Sequence, residues 1–130
     1  MYGIALLMAR LLMGVPFIIW GTMKLRGGEA KLVPVLAGLG LPDAKALAYL
    51  VGFCELVGGL GIVLGYPLHT FSVLLGLWCI VTGYVGHRND VNALLSHICM
   101  AGGFFALAVA GAGAIALFGG EPTGVLADVQ

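Results

Sequence analysis

A chain of 130 residues with 61% hydrophobic and only 9% charged residues has too little polar surface to coat a globule in water, where about a quarter of residues are charged. Six basic and six acidic residues cancel, and no clustered basic face marks a nucleic-acid binder. A mean hydropathy of +1.09 and twenty-two glycines without a three-residue period instead predict an all-α integral membrane protein. The expected architecture is a four-helix bundle in the lipid bilayer, with residues 1–130 forming a single transmembrane domain.

A membrane helix needs about 20 apolar residues, and four stretches qualify. The first covers residues 3–25. Arg10 interrupts its apolar run, and residues 20–26 make a poor cleavage site, so this stretch is expected to be retained rather than removed as a signal peptide. The following connection carries Lys24, Arg26, Glu29, Lys31 and Asp43. Within it, residues 30–39 place Leu32, Val33, Leu36 and Leu39 at the spacing of a short amphipathic helix at the membrane interface, despite Pro34. Gly40-Leu41-Pro42-Asp43 stops that segment, with Asp43 as the expected N-cap of a second span over residues 44–65. Gly65-Tyr66-Pro67 reads as a tight turn into a third span, residues 68–86. His87-Arg88-Asn89-Asp90 is a polar turn, and Asp90 can cap a fourth span over residues 91–118. The remaining residues, 119–130, read as a short exposed tail. The first and third connections hold Lys24, Arg26, Lys31 and Arg88, so the positive-inside rule puts them in the cytoplasm and both termini outside.

A charge at the bilayer centre costs at least ~2.5–3.5 kcal/mol, so Arg10 and Glu55, inside the first and second spans, are the residues to explain. Arg10, Gly14, Phe17, Gly21 and Lys24 recur every 3.5 residues and share one helix face. Small residues along that face, with Gly58 and Gly59 on the second span, predict close helix packing. At 1.5 Å per residue, Glu55 lies about 16 Å and Arg10 about 22 Å from the side of the first connection. The gap of roughly 6 Å is within reach of an arginine. Side chains lean toward their own helix N-terminus, however, and here the two leans diverge. The expected arrangement is an Arg10–Glu55 charge pair joining the first two spans, with a snorkelling Arg10 and a neutral Glu55 hydrogen-bonded to backbone as the alternative.

Lys24, His87, Asn92, Ser96 and His97 gather toward one end of the bundle. A basic, hydrogen-bonding mouth of this kind suits a carbonyl or an anionic headgroup, and a quinone ring is one such ligand. His97 alone reads first as a structural histidine, with a ligand or proton-relay role as the alternative, and Trp20 and Trp78 read as packing or interface residues. Cys54, Cys79 and Cys99 are widely spaced and read as small buried hydrophobes. No metal cluster, paired-histidine haem pattern, phosphate loop or catalytic triad is visible, so no cofactor is evident in the chain itself.

The run Arg10-Leu-Leu-Met-Gly14-Val-Pro-Phe17-Ile-Ile-Trp-Gly21-Thr-Met-Lys24-Leu25 resembles the opening helix of the DoxX family. The Leu39-Gly40-Leu41-Pro42 connection is similar too, as is Glu55-Leu56-Val57-Gly58-Gly59-Leu60 running to Leu64-Gly65. Together these cover about half of the chain in the right order; the fourth span departs, with His97 where many relatives place an acid. The resemblance implies a small multi-pass protein of a bacterial or archaeal plasma membrane. The family takes its name from a subunit of an archaeal quinone-linked thiosulfate oxidoreductase, and other relatives are associated with membrane redox complexes or oxidative-stress systems.

The expected function is therefore a membrane subunit of a redox or respiratory complex. It would be an accessory subunit rather than a complete enzyme, anchoring a partner protein and helping to form a quinone or quinol site at Lys24, His97, Asn92, His87 and Trp20. A non-enzymatic scaffold or assembly factor is the alternative, and a small-molecule carrier built as a homo-oligomer is a third reading.

Overall fold

The computed structural model describes residues 2–113. Four of its helices are long and apolar enough to cross a membrane: α1 (Tyr2–Leu25), α3 (Ala44–Leu64), α4 (Leu68–His87) and α5 (Val91–Ala110). A short helix, α2 (Val33–Gly38), follows a 3-10 turn at Gly28–Lys31 in the long first connection. The fourth span, expected to run to residue 118, closes earlier at Ala110, where Gly111 turns to φ 82°, and residues 114–130, with the expected tail, lie outside the described residues.

The helices pack as two close antiparallel pairs, α1 with α3 and α4 with α5. Glycine makes the first pair. A methyl group on Gly21 would lie 2.5 Å from the Gly52 carbonyl and the Leu56 nitrogen, and one on Gly59 would lie 2.8 Å from the Gly14 carbonyl. Backbone meets backbone at both places, so any side chain there would force the helices apart. The two contacts are seven residues apart on each helix, two turns, which sets one register for the whole pair. The second pair instead seats large groups over glycine: Phe105 against Gly76, and His97 against Gly83.

Side chains fill the wider seam between the pairs. Phe17 of α1 meets Phe104 of α5 edge-on, with ring centroids 5.3 Å apart. Ile62, Leu68, Leu75, Cys79 and Leu107 complete the buried core. Elsewhere the apolar side chains point outward; Leu12 is 70% and Tyr84 65% exposed. Such a surface would aggregate in water and is the ordinary lipid-facing surface of a membrane bundle. Two of the three cysteines belong to it: Cys79 is buried, but Cys54 and Cys99 are exposed. A thiol is small and apolar enough to face lipid at little cost, so its presence in a span does not fix the face it occupies.

The connections show which capping signals operate. Asp90 has extended backbone, and its side chain accepts from the Ala93 amide at the start of α5. Asp43 occupies the same position before α3 but is left-handed, with φ 49°, and makes no side-chain cap. A capping side chain needs extended backbone to reach back over the first turn, and Gly40-Leu41-Pro42 delivers the chain in another conformation. Pro34 sits in the first turn of α2, where its missing amide proton would have no helical partner. Leu36 is the buried residue of that helix.

Candidate functional site: a buried carboxylate and two cations in the bundle

Lys24 closes α1 and Glu55 lies in the middle of α3. In the register set by the glycine contacts, Gly14 with Gly59 and Gly21 with Gly52, Glu55 lies level with Ile18. Lys24 leans back along α1 toward that level, while Glu55 leans along the antiparallel α3 toward Lys24, so their directions converge. The Lys24 ammonium donates to Glu55 Oε2 at 2.5 Å, with the lysine side chain 23% and the carboxylate 7% exposed. The indole Nε1 of Trp78, from α4, donates to the other carboxylate oxygen at 3.0 Å. Each oxygen of the buried carboxylate thus has a donor, from two different helices.

Arg10 does not pair with Glu55. It lies eight residues, about 12 Å, along α1 from the Glu55 level, and the two side chains lean apart. Depths counted from the helix ends understate this separation, because the glycine contacts, not the helix ends, set the register. Arg10 is 2% exposed, and its Nη1 donates to the carbonyl of Ala112 at 2.8 Å, just beyond the end of α5. Its Nε is buried without a partner. The guanidinium meets the electronegative end of α5 rather than an acid.

The remaining polar residues form smaller groups. The rings of His87 and His97 lie 4.8 Å apart, tilted by 33°. His97 Nδ1 is 2.8 Å from the Ala93 carbonyl; since the carbonyl can only accept, this nitrogen carries the proton in that bond and Nε2 is left as an acceptor. Asn92 is exposed, and its backbone carbonyl accepts from the Ser96 hydroxyl. Trp20 packs edge-on against Phe17 and is 40% exposed. Among the described residues, Lys24 hydrogen-bonds to Glu55, and no hydrogen bond or ion pair links it to His87, Asn92 or His97. Gly14, Gly21 and Gly59 lie in the α1–α3 contact, and Gly58 faces Leu75 of α4.

Trp78 is the Glu55 contact that residue patterning misses, although a signal for it exists. An indole turned into the bundle needs an acceptor, and among the described residues Glu55 is the acid that lies within the four spans. The bond from Arg10 to a backbone carbonyl leaves no such signal, because any residue type can supply that oxygen.

Arg10, Lys24, Glu55 and Trp78 all fall within residues 5–88, which match the DoxX family model. Two curated relatives, both from Escherichia coli (strain K12), are similar over most of their length. Inner membrane protein YphA is 30% identical over 125 residues, covering 88% of each chain. Inner membrane protein YqjF is 30% identical over 119 residues, covering 88% of this chain and 89% of its own. No solved structure matches. With four membrane-length helices, a family match across most of its length and two inner-membrane relatives, the chain belongs to the DoxX family of membrane proteins.

Proposed function

We propose that this protein is an accessory membrane subunit of a redox or respiratory complex, which anchors a partner protein in a bacterial or archaeal plasma membrane. The Lys24–Glu55–Trp78 contact carries this reading. Both oxygens of the one carboxylate inside the spans are occupied by donors from α1 and α4, an arrangement suited to holding helices together. The Lys/Arg-bearing connections face the cytoplasm under this proposal, and the termini lie outside. Purification in mild detergent from the native membrane tests it. The expected result is a stoichiometric redox protein that co-elutes with the wild-type chain and is lost with a variant whose helix pair is disrupted, such as Gly21→Leu. Recovery of the chain without any redox partner overturns it, and a partner of another kind supports a scaffold or assembly factor instead.

A quinone or quinol site is the second reading, supported by the paired rings of His87 and His97 at the Lys/Arg-rich end. The Nε2 of His97 can accept from a quinol hydroxyl, and a ring N–H of His87 can donate to a quinone carbonyl. Lys24, Asn92 and Trp20 belong to the same proposed mouth. His97→Phe keeps a ring over Gly83 while removing both nitrogens. Unchanged quinone retention and quinone-dependent turnover in that variant would rule this site out.

A further inference from the structure

A groove of about 450 Å³ runs along the outside of α1, lined by Ile18, Ile19, Thr22, Met23, Arg26 and Gly28. Ile18, Thr22 and Arg26 recur every four residues with Ile19 and Met23 beside them, a strip that starts at the edge of the α1–α3 contact, where Ile18 borders Gly59, and turns outward through Ile19, Met23 and Arg26. The strip is apolar for most of its length. The Thr22 hydroxyl donates to the Ile18 carbonyl at 2.7 Å, so its polarity is satisfied within its own helix. Gly27, at φ 108°, reverses the chain after α1. Gly28 then returns so close to the last turn that a methyl group on it would lie 2.6 Å from the Met23 carbonyl, which bounds the groove at its mouth.

The charged residue in the groove lining is Arg26. Arg26 directly follows the span, is exposed, and makes no ion pair among the described residues. Glu29, the nearest acid in sequence, accepts from the Tyr49 hydroxyl of α3 at 3.0 Å. Ile18 lies about 12 Å deeper than Arg26 along the helix. An apolar trough reaching that far into the hydrocarbon, with an unpaired guanidinium at its interfacial end, has the polarity of a lipid with an anionic head.

We infer that this groove binds an anionic phospholipid, with Arg26 on the phosphate and one acyl chain lying along Ile18, Ile19 and Met23. The site does not rest on the anchoring role proposed above, since none of its lining residues takes part in the Lys24–Glu55–Trp78 contact. It takes its lipid from the leaflet at the Arg26 end of the bundle.

The test places the purified full chain in nanodiscs of phosphatidylglycerol and phosphatidylcholine in equal amounts with matched chains. The lipids retained after release are then counted by native mass spectrometry. Wild type retains phosphatidylglycerol over phosphatidylcholine by roughly five-fold, the ratio that corresponds to ~1 kcal/mol per basic residue at a membrane surface. Arg26→Gln brings the ratio near one, while Lys31→Gln, an equal loss of charge on the same connection, leaves it in place. Met23→Trp fills the trough and lowers retention of both lipids. A wild-type ratio near one overturns the site. So does an unchanged ratio in R26Q, or an equal drop in K31Q, which would mark general surface attraction. Displacement of the lipid by free glycerol phosphate would show a headgroup pocket without the chain and would also overturn it.

Discussion

Lys24 and Arg10 share one face of α1, and both would be costly in hydrocarbon. Lys24 finds a carboxylate that a third helix also holds, so the charge is neutralised and every oxygen is occupied. Arg10, more deeply buried, has one bond to a backbone carbonyl and an unpartnered Nε. The difference comes from helix direction. In an antiparallel pair, a lysine near the end of one helix and an acid midway along the next lean toward each other, while an arginine on the far side of that acid leans away. One cation therefore joins three helices, and the other fastens the segment after α5 onto α1.

The largest expected effect isolates the Lys24 contact. Glu55→Ala leaves a half-buried ammonium and an indole without an acceptor and should cost about 3–5 kcal/mol of bundle stability, read by reversible unfolding in mixed micelles. The double variant Lys24→Met/Glu55→Leu should recover most of that loss, because no charge remains buried. If the double variant is as unstable as E55A, the contact does more than cancel charge. Trp78→Phe comes next. It removes one hydrogen bond to a charged acceptor while keeping an aromatic ring, an expected cost of about 1.5–3 kcal/mol in the same assay.

Arg10→Met sharpens the comparison from the other side. It removes a single carbonyl contact together with a desolvated cation, so the net change should stay within about 1.5 kcal/mol, well below that of E55A. A loss as large as that of E55A would show that Arg10 has a stronger partner than the Ala112 carbonyl. The smallest pair contrasts the two helix starts. Asp90→Ala should cost about 1 kcal/mol through loss of its cap, whereas Asp43→Ala, which has no cap to lose, should leave the unfolding curve within about 0.5 kcal/mol of wild type.

The four long helices are legible in the sequence because apolar runs of membrane length end at glycine, proline and acidic turns. The packing face of α1 is legible too: the 3.5-residue recurrence of Arg10, Gly14, Phe17 and Gly21 names residues that are all buried. The choice of partner is not, because it depends on how far one helix slides along another. Helix ends are poor markers of that slide; the backbone contacts of Gly14 with Gly59 and Gly21 with Gly52 set it. Glycine is frequent enough in this chain that its pattern does not reveal which glycines meet. Side-chain lean was the better guide, since it already separates Arg10 from Glu55 and turns Lys24 inward. Asp43 illustrates a local limit: the residue type suits a cap, but the backbone delivered by the preceding turn does not.

The Lys24–Glu55 contact also bears on biosynthesis. The two residues come from consecutive spans, and Glu55, midway along α3, alone adds a cost of roughly 2.5–3.5 kcal/mol. Entering as a hairpin, with α1 and α3 already back to back along their glycines, the two charges cancel before either meets lipid. The contact thus lowers the cost of moving α1 and α3 together from water into lipid, compared with moving either alone.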